Sequence, residues 1–198
     1  MERIYLDTNQ LYFIRRIADE ADGSDYGNYE WAFRLFPDNP DLVDDIRALC
    51  FIVALQYEWE LDFLPNNASF AELSLSSGTR AAATGQAWMV FAEGLKDGRL
   101  LQRVPFDPTC RGNGSLSLDF IEDADDRVII RDAIAQDADV LLTSDDKHIL
   151  PHKERLAQLN IRVMRPKEWL DLFLAHVKGD DDAVDWLERI LFGIGKGV

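Results

Sequence analysis

The chain has 198 residues and a mass of 22.6 kDa, enough for one well-filled core and short for two, since domains run to about 100–200 residues. With 47% hydrophobic residues and five tryptophans it holds ample apolar surface to offset chain entropy, which excludes global disorder. Its formal charge of -15 argues against a nucleic-acid partner, because phosphate backbones are normally met by Lys and Arg. Bound divalent cations would neutralise part of that charge locally, and distant acids are screened beyond a Debye length of about 8 Å.

Residues 3–6 form a short apolar run, and residues 9–20 place Leu11, Ile14, Ile17 and Ala18 at helical spacing, which predicts a strand and then a helix. A polar loop over 23–28 leads to a short helix over 29–36, a break at Pro37-Asp38-Asn39-Pro40, and a long helix over 41–57. Residues 60–64 read as a second strand, closed by Pro65, followed by a helix from 67 that carries Glu72 and another over 79–96. Residues 99–106 are a third strand candidate, and 107–117, with Pro108, Gly112 and Gly114, a loop. A helix is expected over 123–136, strands over 140–142 and 161–164, and helices after Pro166 and after Asp180.

Strands separated by helices, with continuous rather than alternating apolar runs, indicate a parallel sheet covered on both faces, so the class is α/β. One domain is expected over 1–175, with a C-terminal helical extension over 176–198 packed on that domain or on a partner. No apolar leader core precedes the first strand, and no stretch approaches the roughly 20 apolar residues of a membrane span. A cytoplasmic protein without a membrane segment is therefore expected. Cys50 and Cys110 make neither a disulfide framework nor a zinc quartet.

Four acidic signals stand where a strand ends or a helix begins: Asp7 in Ile-Tyr-Leu-Asp-Thr-Asn, Glu72 in Ser-Phe-Ala-Glu-Leu, Asp126 in Asp-Asp-Arg-Val-Ile-Ile, and Asp145 in Leu-Leu-Thr-Ser-Asp. In an open parallel sheet, ligands gather beyond the carboxyl ends of the strands where strand order reverses, and Asp7 and Asp145 occupy such ends. On the helix from 123, Ile129, Ile130, Ala133 and Ile134 form a stripe whose centre falls near the direction of Asp126. Inward-facing carboxylates are costly unless a shared cation offsets them. Oxygen ligands favour Mg²⁺ or Mn²⁺, and phosphodiester hydrolysis is the natural use of such a site.

Singly, each signal also has a structural reading. Asp7 can cap the helix that follows, Asp123 or Asp126 can cap the later one, Asp145-Asp146 can be a turn and Glu72 a solvated helix face. Asp123 and Asp126 remain alternatives for the third acid, as do Asp145 and Asp146 for the last.

Taken together, these residues resemble the PIN domain family of metal-dependent nucleases, on Ile-Tyr-Leu-Asp7-Thr-Asn9, Ser-Phe-Ala-Glu72-Leu, Asp126-Arg-Val-Ile129 with Ala133 following, and Leu-Leu-Thr143-Ser-Asp145. The resemblance covers residues 2–172. It implies a three-layer α/β/α sandwich with a parallel sheet of about five strands, a Mg²⁺ or Mn²⁺ site and endonucleolytic cleavage of RNA. On it, Asp7, Glu72, Asp126 and Asp145 carry over as catalytic and metal-site residues, with Asn9, Thr143, Asp123 and Asp146 as supports. Many members of that family are toxins of toxin–antitoxin pairs and dimeric. This chain is longer than the compact toxins.

Arg80, Arg111, Arg127 and Lys147 lie near the proposed acids in sequence and are candidate phosphate contacts. His148 and His152 are spaced i,i+4, but the intervening Pro151 argues against a zinc pair on a regular helix. Asp7-Thr8-Asn9 also invites comparison with an aspartyl-phosphate loop, which Asn9 breaks by removing the general acid. From another class, a PIN-like binding or scaffolding module is the alternative, favoured by the acidic charge and by the apolar stripes of the C-terminal helices, which call for a partner surface on the sheet, a protein partner or a second copy.

Overall fold

A computed structural model of the protein describes residues 2–20, 30–55, 61–64 and 117–177. Glu72, Arg80 and Arg111, the strand candidate over 99–106, the loop over 107–117 apart from its last residue, the helices from 67 and over 79–96, and the helix after Asp180 lie outside the described residues.

Strand β1 (Arg3–Leu6) passes directly into helix α1 (Thr8–Glu20). Leu11, Ile14 and Ile17 bury one face of that helix at the expected spacing. After α2 (Glu30–Leu35), Asn39 accepts the Leu42 amide on its side chain at 3.1 Å and caps α3 (Pro40–Leu55). Proline at the first helical position costs no hydrogen bond there, because that N–H has no intrahelical partner. Among the described residues strand β2 is Asp62–Phe63, paired with Arg3 and Ile4, and Glu60, where the expected strand begins, lies outside them.

Helix α4 (Ala124–Ala135) is capped at its start by Asp123, whose carboxylate accepts the Asp125 amide at 2.8 Å. Its other end closes through Asp137 at φ 52, with the Ala138 amide on the Ala133 carbonyl and the Asp137 amide on that of Ile134. This is the paired-bond C-terminal motif usually made with glycine, and Asp is among the few other residues that enter it readily. Strand β3 (Val140–Leu142), a 3-10 turn (Leu150–His152), the short α5 (Lys153–Ala157), strand β4 (Arg162–Met164) and α6 (Pro166–Val177) follow.

The four described strands run parallel in the order β2-β1-β3-β4. Ile4, Leu6, Val140 and Leu142 point into one core with α1, α2, α3 and α6, among which Trp31, Ile46, Leu49 and Ile52 are fully enclosed. Tyr5, Leu141 and Val163 point into the other, against Ile129, Ile130 and Ala133 of α4 and Leu156 of α5. The protein is thus a three-layer α/β/α sandwich on a central parallel sheet. Each fully buried Ile or Leu contributes roughly 1.5–3 kcal/mol of transfer free energy, which is why these strands carry apolar side chains on both faces. No helix among the described residues is long and apolar enough to cross a membrane.

The chain goes from β1 outward to β2 on one side and reaches β3 on the other, so strand order reverses at the β1–β3 boundary. Backbones diverge from such a point and leave a crevice at the carboxyl ends of the two strands.

Candidate metal centre

Asp7 is the first residue beyond β1. Its amide continues the ladder to the Leu142 carbonyl at 3.1 Å, and its own carbonyl accepts the Gln10 and Leu11 amides that begin α1. The side chain is only 3% exposed, and its Oδ2 accepts the Thr143 hydroxyl at 2.8 Å. Thr143, fully buried, is the first residue beyond β3 and is held by its amide on the Met164 carbonyl at 3.0 Å. Its Oγ1 also accepts the Asp145 amide at 3.0 Å. One threonine therefore joins the ends of the two central strands.

Asp145 folds the following chain back on itself. Its Oδ1 accepts the Lys147 and His148 amides, each at 2.8 Å, and its carbonyl accepts the Leu150 amide at 3.0 Å. That turn brings the His148 ring inward, with Nδ1 3.3 Å from Asp145 Oδ2 and 3.6 Å from Asp126 Oδ2.

Asp126 approaches from the first turn of α4. Its side chain is largely enclosed, and Oδ2 has no hydrogen-bond partner among the described residues. Burial pushes its pKa up to about 7, and the negative charges of Asp145, Asp7 and Asp123 push the same way, opposed by His148. A carboxyl so placed is stabilised by a proton or by a cation. Asp123, one helical turn earlier and exposed, joins it: Asp123, Asp126 and His148 each present a ligand atom, all within 4.8 Å of one another.

These three residues form a cluster that could chelate a metal ion. The buried Asp126 oxygen, without a hydrogen bond among the described residues, fits such a group, and two carboxylates with one imidazole suit divalent cations as a class rather than one in particular. The cluster shares His148 and Asp126 with the surroundings of Asp145 and Asp7. The alternatives at the third acid thus divide into two roles: Asp126 points inward, whereas Asp123 caps the helix and lines the rim.

Of the other expected residues, Asn9 is exposed in the first turn of α1, Arg127 is half-buried, and Lys147 is exposed in the turn after Asp145. Asp146 is exposed and ion-paired with Arg165 Nη2. His152 lies outside the cluster, its ring set edge-on to Phe120. Cys50 is buried in α3, and burial pushes its thiol up to about 12, which disfavours the thiolate.

Several participants are not marked by the sequence patterns. His148 escapes because it acts without His152; the available signal is its place three residues after an Asp at a strand end, where an Asp side chain can cap the turn. Asp45, fully buried, lies three and four residues before the buried Ala48 and Leu49 and so falls on the inward face of α3. Burial raises its pKa, against the pull of hydrogen bonds from Ser144 and Arg165 and the charge of Arg165.

No family model, curated protein or solved structure matches this chain. Sequence and geometry together give a small α/β domain with a three-residue cluster that could hold a metal ion at the carboxyl edge of its sheet.

Proposed function

We propose that this protein is a PIN-like, metal-dependent endoribonuclease that hydrolyses RNA phosphodiester bonds at a site built from Asp7, Glu72, Asp126 and Asp145, with Mg²⁺ or Mn²⁺ as cofactor. The observation that carries the reading is the Asp126 carboxyl, enclosed without a hydrogen-bond partner for Oδ2 among the described residues and facing the charges of Asp145, Asp7 and Asp123. Carboxyls gathered at such expense in a crevice mark a candidate functional site.

Asp126, Asp123 and His148 would hold the cation, and Asp7 and Asp145 would add negative charge beside it. Such a cation polarises a phosphoryl oxygen and lowers the pKa of a water. Thr143 fixes Asp7, and Asp145 fixes the turn that presents His148. Asn9 is the proposed polar support, and Arg80, Arg127 and Lys147 are the proposed phosphate contacts that would offset the acidic charge toward an anionic substrate.

The formal charge of -15 favours a second reading, in which the domain is a binding or scaffolding module that engages a protein partner or a second copy through its C-terminal helices. Incubating mixed single-stranded and structured RNA with Mn²⁺, Mg²⁺ or EDTA separates the two, using wild type and a folded Asp7→Asn/Asp126→Asn double variant. Metal-dependent cutting lost in the variant is expected. Equal inertness of both proteins with every metal would leave the scaffold.

A further inference from the structure

We infer that Arg165 is a positioning residue that decides which of two adjacent carboxylates, Asp145 or Asp146, serves the metal centre. This rests on the metal-centre reading above.

The chain beyond β3 reads Thr143-Ser144-Asp145-Asp146, and its side chains divide between two sides. Ser144 turns toward the layer of α1 and α3, where its hydroxyl donates to Asp45 Oδ2 at 2.8 Å and accepts from Gln10 Nε2 at 2.9 Å. The same Asp45 oxygen accepts Arg165 Nη1 at 2.6 Å, and Asp45 Oδ1 faces the Lys167 amide at 3.3 Å. Arg165 Nη2 reaches the other way and pairs with Asp146. One guanidinium thus bridges a fully buried carboxylate of α3 and an exposed one just past β3.

The consequence falls on the residue between. With Ser144 and Asp146 both held toward Asp45 and Arg165, Asp145 is left to face Asp126 and His148, its amide on Thr143 and its Oδ1 capping the turn. Without Arg165, nothing in the local sequence Ser-Asp-Asp distinguishes the two acids. The task needs two donors at a fixed angle on one planar group. Arginine supplies that and lysine, a single charge point, does not.

Arg165→Met alone would strand the buried Asp45 charge and risk the fold. The test therefore uses Asp45→Asn/Arg165→Met, which removes both charges, together with Arg165→Lys and with Asp146→Ala, which touches only the exposed arm. Folding is checked by thermal melting. Two readouts are taken: amide hydrogen exchange of Asp145, Lys147 and His148 in metal-free protein, and Mn²⁺ affinity by calorimetry. The double variant is expected to exchange faster at those amides and to bind Mn²⁺ about 10–100-fold more weakly, as for other losses of groups that orient ligands. Arg165→Lys is expected to keep the fold without recovering the affinity, and Asp146→Ala to show part of both effects.

A folded double variant with wild-type exchange, or with wild-type Mn²⁺ affinity, overturns the assignment. Should the double variant not fold, Asp146→Ala with wild-type values for either readout does the same. If wild type itself binds no Mn²⁺, the metal-centre reading fails, and the exchange data alone decide whether Arg165 positions Asp145.

Discussion

Thr143 donates its hydroxyl to Asp7 at 2.8 Å across the boundary between β1 and β3, while the same oxygen accepts the Asp145 amide at 3.0 Å. The ends of two central strands are thereby tied through one buried oxygen. Thr143→Val keeps the shape and deletes that atom, so it is expected to cost about 1–3 kcal/mol in urea unfolding. Thr143→Ser should recover most of it. Equal stability of all three proteins would show that the bridge contributes nothing.

Asp126 makes stability depend on pH in a definite direction. Its carboxyl has the ordinary value of about 3.8 when unfolded, and burial, with the charges of Asp145, Asp7 and Asp123, pushes it up to about 7 when folded. Between these values the unfolded chain releases the proton while the folded one keeps it, so the contribution is complete below about pH 4 and is lost as pH rises through 7. At about 1.4 kcal/mol per pKa unit, the loss reaches at most about 4 kcal/mol. Asp126→Asn removes this dependence. In EDTA, the variant's stability relative to wild type should climb from pH 4 to pH 8, and a difference flat in pH would contradict the assignment.

Divalent cations should reverse that penalty. At a concentration of about 100 times the dissociation constant, a ligand specific to the folded state adds about 2.7 kcal/mol, or roughly 5–10 °C in Tm for a chain of this size. Differential scanning fluorimetry with Mn²⁺ against EDTA measures it directly. His148→Ala and Asp123→Ala should each reduce the shift, and Asp126→Asn should abolish it. A shift insensitive to all three would place any binding elsewhere.

Asp145→Ala separates turn formation from charge. The Lys147 and His148 amides lose their acceptor, so their exchange should quicken and stability fall by about 1–2 kcal/mol. Asp145→Asn keeps an acceptor oxygen and should retain the turn while weakening cation binding. If Asn behaves as Ala does in both respects, the charge has no separate role.

Much of this was legible in the residues because it depends on local pattern. The β3 run Val140–Leu142 is bounded as the apolar stretch predicts, and Asp7 and Thr143 follow strand ends because a parallel sheet puts polar residues just past its apolar ones. The starts of α3 and α4 follow from Asn39 and Asp123, whose side chains cap them. Among the described residues strand β2 comes down to Asp62 and Phe63, because strand length is set by what the neighbour pairs, here Arg3 and Ile4. His148 and the Asp45–Arg165 pair were not legible. His148 depends on a turn created by another side chain, and Asp45 meets Arg165 across 120 positions, a distance at which periodicity carries no information.

Asp7 has its β3-end partner 136 positions later in the chain. Pairings so distant in sequence form late, because the entropy of closing the intervening chain must be overcome first. A chain emerging from the ribosome has Asp7 long before Thr143 or His148 exists. Until β3 slots beside β1, the carboxyl ends of the two strands are not joined through Thr143, and the turn that presents His148 is not in place. The central placement of the first strand thus makes completion of folding the condition for assembling this edge of the sheet.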